Sequence, residues 1–141
     1  MAKSEKQKLK LLYIIQCLME KTDEEHAVTT QEIIDYLALQ GITAERKSIY
    51  TDIDLLTDFG MDIIKKPGRS GGYTLASRQF ELAELKLLVD AVQSSKFITT
   101  KKSRELIGKL ETLCSKYEAT QLHRQVVVTN RNKAVNENIY Y

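Results

Sequence analysis

The sequence predicts a mostly α-helical chain with one small β-hairpin, and three observations predict it. Apolar residues recur at helical spacing over most of the chain up to Phe59. Gly41 and Gly60 fall just past two of these periodic segments, where a residue in the left-handed conformation stops a helix. From Met61 to Leu75 the pattern changes to two short β-type runs around a turn-rich connector. Three helices and then a hairpin is the order of a winged helix-turn-helix domain.

The first helix is expected from Glu5 to Lys21, with Leu11, Leu12, Ile15, Leu18 and Met19 as its buried stripe. Asp23-Glu24-Glu25 breaks that pattern and reads as a loop. Thr29-Thr30-Gln31-Glu32 opens the second helix as a capping box, with Thr29 as cap and Glu32 three residues on. Ile33, Ile34, Leu37 and Ala38 supply its inner face, and Ile42 is placed to fold back onto it beyond Gly41. The third helix runs from about Glu45 to Phe59 with Ile49, Ile53 and Leu56 inward. A short connector containing a glycine makes the second and third helices a helix-turn-helix pair.

Met61–Ile64 and Gly72–Leu75 are the expected strands, joined through Pro67-Gly68-Arg69-Ser70-Gly71. After Phe80 helical periodicity returns, with Leu82, Leu85, Val89 and Val92 in one stripe that Leu88 and Ala91 widen. A break from Ser94 to Thr100 precedes a further helix from about Lys101 to Tyr117, capped by Thr99 or Thr100. There Leu106, Leu110, Leu113 and Tyr117 follow heptad-like spacing. Val126-Val127-Val128-Thr129 reads as a strand. The division expected is a winged helix-turn-helix domain over 1–78, a helical linker or dimerisation segment over 79–125, and the start of a further region over 126–141.

Composition excludes several function classes. With 43% hydrophobic and 28% charged residues the chain is an ordinary globular one. No stretch approaches the roughly 18 apolar residues of a membrane span, and the charged start does not lead into a signal peptide, so the cytoplasm is the expected location. Cys17 and Cys114 sit among apolar residues at helical spacing and read as buried free thiols. His26 and His123 lack closely spaced partners, so no metal or cofactor is expected. Gly68-Arg69-Ser70-Gly71-Gly72 has neither the Gly-Lys-Ser/Thr ending nor the following helix of a phosphate-binding loop. Ser70, Ser77 and the Asp52/Asp54 pair have no histidine beside them in sequence, so no catalytic residue is expected and the chain is read as a non-enzyme.

Bulk charge is weakly informative. The whole chain carries +2, but residues 1–79 hold 11 Lys and Arg against 12 Asp and Glu, a net of −1. The case for double-stranded DNA therefore rests on where the basic residues fall. Arg46, Lys47, Ser48, Tyr50 and Thr51 lie at the leading end of the third helix, the end that enters a major groove. Arg46 suits a bidentate pair with guanine, and Lys47, Ser48 and Tyr50 suit phosphates. Glu45 has three uses open: accepting from cytosine, pairing with Arg46 or Lys47, or favouring the helix start. Lys65, Lys66 and Arg69 surround the glycine-rich hairpin tip, with no acidic residue between Lys65 and Arg78, and are expected on backbone or minor groove. Lys3, Lys6, Lys8 and Lys10 form a third basic cluster for phosphates.

Lys47-Ser48-Ile49-Tyr50-Thr51-Asp52-Ile53-Asp54-Leu55-Leu56, with Gly60, Ile63 and Gly71-Gly72-Tyr73, resembles the recognition helix and wing of DeoR-type regulators. Phe80–Val92 and Ser103–Leu113 resemble the linker helices of WYL-domain transcriptional regulators, and Val126–Tyr141 the segment leading into the WYL domain. The resemblance implies a transcription regulator whose effector ligand is bound by a C-terminal domain beyond this chain. A homodimer through residues 81–117 would align two half-sites about one helical turn apart. Two rivals stand beside it: a winged-helix protein-interaction module, and a regulatory domain cut from a larger enzyme.

Overall fold

The computed structural model describes residues 2–68 and 71–136, with side chains from 5 to 68 and from 71 to 126. The element order is α1 (Ala2–Lys21), α2 (Thr30–Leu39), α3 (Arg46–Phe59), β1 (Ile63–Lys66), β2 (Gly72–Leu75), α4 (Leu82–Ser94), α5 (Thr100–Glu111) and α6 (Lys116–Asn136). It is mostly helical with one two-stranded antiparallel sheet, a winged-helix arrangement. The chain divides into two compact units, Met1–Ser77 and Arg78–Tyr141.

In the first unit the core gathers Ile14, Cys17 and Leu18 of α1, Ile33, Tyr36 and Leu37 of α2, Ile49, Ile53 and Leu56 of α3, and Tyr73 and Leu75 of β2. The inner stripe of α3 is the one its periodicity predicts. That of α1 is rotated from expectation: Leu12 is 61% exposed, while Ile14, Cys17 and even Lys10 are buried. The run Leu9 to Ile15 offers apolar residues on nearly every side of the helix, so local pattern alone does not choose the face.

The helix ends follow the local chemistry. Thr29 Oγ1 accepts from the Glu32 amide at 3.1 Å, and Glu32 Oε1 accepts from the Thr29 amide at 3.0 Å, the reciprocal box expected at α2. At its other end Gly41 adopts φ 79. Beyond it the Ile42 amide donates to the Leu37 carbonyl at 2.9 Å, which folds Ile42 into the core at 1% exposure.

The hairpin pairs Ile63 with Leu75 through Lys66 with Gly72, so β1 begins two residues later than the sequence suggests. A third segment joins it: Val28 bridges Tyr73, with amide–carbonyl bonds of 3.0 and 2.7 Å in the two directions. This close approach requires glycine at 72, because a Cβ there would run into the Val28 carbonyl. Thr22, fully buried at the end of α1, completes the tie. Its hydroxyl donates to the Leu18 carbonyl at 2.6 Å and accepts from the Leu75 amide at 3.0 Å.

The second unit is a three-helix cluster around Leu85, Val89, Ile107, Cys114, Leu122 and Val126. It corrects two expectations. The helix foreseen over Lys101–Tyr117 stops at Glu111, and α6 starts at Lys116. Ser115 causes the restart, since its hydroxyl accepts from the Glu118 amide at 3.1 Å and its carbonyl from the Ala119 amide at 2.8 Å. Tyr117 is therefore on a different helix from Leu106 and Leu110. The strand foreseen over Val126–Thr129 is instead part of α6. Its β-branched run favours strand locally, but burial of Leu122 and Val126, one helical turn apart, overrides that preference. Gln93, also buried, donates to the Val126 carbonyl at 3.1 Å.

Candidate nucleic-acid interface

α3 carries the candidate contact residues. With Ile49, Ile53 and Leu56 turned inward, helical geometry leaves Lys47 and Thr51 on the opposite side and Tyr50 on the flank, while Arg46 is the first residue of the helix on its inner side. All four are exposed. The first turn holds no acidic side chain, and its amides add a positive dipole end. Arg46 reaches back to α2, with a guanidinium nitrogen 3.5 Å from Gln31 Oε1. The Thr51 hydroxyl donates to the Lys47 carbonyl at 3.2 Å.

Two wing lysines diverge. Lys65 is exposed, and its ammonium lies 5.9 Å from the centre of the Tyr50 ring and 6.0 Å from that of Tyr73. It thereby joins the wing to the leading half of α3 through a cation–π contact. Lys66 instead folds toward the loop after α1, donating to the Glu24 carbonyl at 2.8 Å. Arg69 lies outside the described residues.

Ser48 departs from its expected role as a phosphate contact. Its hydroxyl donates to the Glu45 carbonyl at 2.8 Å and accepts from the Glu45 amide at 3.3 Å and from the Lys10 ammonium at 2.9 Å. A hydroxyl has one proton and two lone pairs, so this one is saturated within the fold and holds the start of α3. Lys10 corrects the reading of the N-terminal basic cluster in the same way. It is 8% exposed, and its ammonium is paired with Asp52 Oδ2 at 2.8 Å. Sequence reasoning missed this pair, although a signal existed: Lys10 stands four residues before Ile14, on the buried stripe.

Among the described residues, no group of three or more His, Cys, Asp and Glu side chains is placed to hold a metal ion. Nor is any described helix long and apolar enough to cross a membrane. His26 is engaged with Asp23, its Nδ1 lying 2.8 Å from Asp23 Oδ1.

Fold and site together describe a winged-helix unit presenting a basic, aromatic helix end beside a basic wing. Residues 12–68 match the family model described as FokI, D3 domain, a DNA-binding-related domain. The match takes in the second half of α1, all of α2, α3 and β1, and stops before β2. No curated protein and no solved structure matches the chain.

Proposed function

We propose that this chain is the DNA-binding part of a transcription regulator that recognises a specific duplex sequence in the cytoplasm. α3 enters the major groove with Arg46, Lys47, Tyr50 and Thr51 foremost, and Ser48 holds the helix start. Lys65 and Arg69, with Lys66 once released from the Glu24 carbonyl, place the wing on backbone or minor groove. The chain binds and does not catalyse; its resemblance to DeoR-type, WYL-domain regulators assigns effector binding to a region beyond residue 141. The observation that carries the reading is the exposed cluster of Arg46, Lys47, Tyr50 and Lys65, in which helix and wing meet through the Tyr50 ring. The likeness to a DNA-binding-related domain over residues 12–68 supports it.

Selection from a random duplex pool at about 150 mM salt tests the proposal, because specific contacts must survive the screening of non-specific ones there. Recovery of a motif by the wild type, and its loss in Arg46→Ala/Lys47→Ala, is the expected result. A folded wild type that enriches nothing overturns the proposal for this chain.

One observation favours a second reading. The matched domain comes from a restriction enzyme, so the unit also suits a regulatory or recognition part of a DNA-processing enzyme. A catalytic domain encoded in the same gene would decide for it.

A further inference from the structure

The recognition helix carries its own obstacle. Asp52, Asp54 and Asp58 follow its basic first turn, and a carboxylate beside a phosphate backbone is repelled. Asp54 and Asp58 are exposed from the second turn onward. Asp52 lies nearest the leading end, one turn beyond Ser48, or roughly 6 Å along the axis. It is the one that α1 reaches. Its side chain is 14% exposed and that of Lys10 is 10%, with 2.8 Å between carboxylate and ammonium. The same ammonium donates to Ser48 Oγ at 2.9 Å. One cation therefore holds two successive turns of α3 against α1, from 38 residues away in sequence.

From this geometry we infer that Lys10 is a positioning residue for DNA binding: it seats the start of α3 and neutralises Asp52 there, leaving Glu45 at the N-cap as the only unneutralised carboxylate beside the basic first turn. The inference rests on the DNA-binding reading above. It makes Lys10 an internal partner of the interface and not a phosphate contact. A lone buried charge is costly, so the two side chains stay paired when DNA arrives. An exposed lysine such as Lys8 has no such partner to unmask.

The test uses the full chain and a labelled random-sequence duplex of about 30 base pairs, titrated between about 50 and 200 mM salt, where phosphate contacts dominate. Lys10→Met, Asp52→Asn, the double variant, and Lys8→Met with and without Asp52→Asn are compared, with thermal melting followed in parallel. Lys10→Met is expected to weaken binding about tenfold and to make its fall with salt shallower by up to about 0.9 log units per decade. The double variant is expected to return within about threefold of wild type, because it restores the local charge. Asp52→Asn alone should bind at least as tightly as wild type, and it decides the matter if Lys10→Met does not fold. Adding Asp52→Asn to Lys8→Met should give no recovery beyond what Asp52→Asn gives the wild type.

A purely structural lysine moves the melting temperature and leaves the affinity and salt slope of the folded protein unchanged; that result overturns the inference. So does a double variant as weak as Lys10→Met, or an Asp52→Asn variant weaker than wild type. Wild type that binds no duplex even at low salt removes the DNA-binding reading, and this inference with it. Wild type that binds while Lys10→Met binds equally well removes this inference alone.

Discussion

The two units of the chain solve the same burial problem with different materials. The first holds distant segments together through specific polar ties between residues far apart in sequence: Thr22 to Leu75, Val28 to Tyr73, Lys10 to Ser48 and Asp52, Lys66 to Glu24. The second is three helices around an apolar seam, with fewer such ties: Gln93 to the Val126 carbonyl, and Gln125 to Asp90 and the Lys86 carbonyl. Polar ties fix direction as well as distance, because a hydrogen bond weakens steeply when bent. Apolar contact is non-directional and tolerates exchange of shape. A unit that must present one helix end at a fixed angle therefore gains more from the first kind. The family match, confined to residues 12–68, falls wholly in that unit.

In the first unit the most damaging substitution changes no apolar contact. Gly72→Ala places a methyl group against the Val28 carbonyl, with Thr29 behind it. It must break the bridge between Val28 and Tyr73 or displace β2, and should cost the first unit about 3 kcal/mol or more. Hydrogen exchange should show protection lost at Val28, Tyr73 and Leu75 while α4–α6 keep theirs. Equal loss in both units would break the comparison.

In the second unit the largest effect should come from apolar volume. Leu85 is fully buried in that core, so Leu85→Ala should destabilise it by about 2–5 kcal/mol through lost transfer energy and the cavity left. The polar Gln93, bonded to the Val126 carbonyl, should matter less: Gln93→Leu removes that bond, of about 1 kcal/mol, and adds apolar burial. Chemical denaturation of the two variants checks the order. A larger loss for Gln93→Leu would show that this unit, too, is specified by a directional tie.

The same distinction governs what the sequence reveals. The inner face of α3, the capping box at Thr29 and the stops at Gly41 and Gly60 are local patterns, and each is legible in a dozen residues. The face of α1 is not, because Leu12 and Ile14 are equally apolar and only the positions of α2 and β2 choose between them. Ser115 and the valine run at 126–128 misled in opposite ways. A cap interrupted an apparent helix in the first case, and tertiary burial overrode strand propensity in the second. Of the candidate site, Arg46, Lys47, Tyr50, Thr51 and Lys65 are exposed on or beside the helix as expected. Lys10 was misplaced because the face of α1 was, and Ser48 because its hydroxyl is taken up by Glu45 and Lys10.

The smallest effect expected is confined to alkaline pH and concerns the first unit. Burial raises the Cys17 thiol from its ordinary 9.0 to about 11, with a smaller opposing effect of Lys21. Burial also raises the neighbouring Tyr36 phenol above its ordinary 10.0, helped by Glu20. Both groups are neutral when protonated, so the folded state holds protons that the unfolded chain releases earlier. Their contribution is complete below about pH 9 and declines as the pH rises toward 11. Melting of the first unit should therefore begin to fall near pH 9. Cys17→Ala should remove most of that slope while lowering stability at neutral pH through the lost sulfur contacts. A slope that survives unchanged in Cys17→Ala, and disappears in Tyr36→Phe, would transfer the effect from the thiol to the phenol.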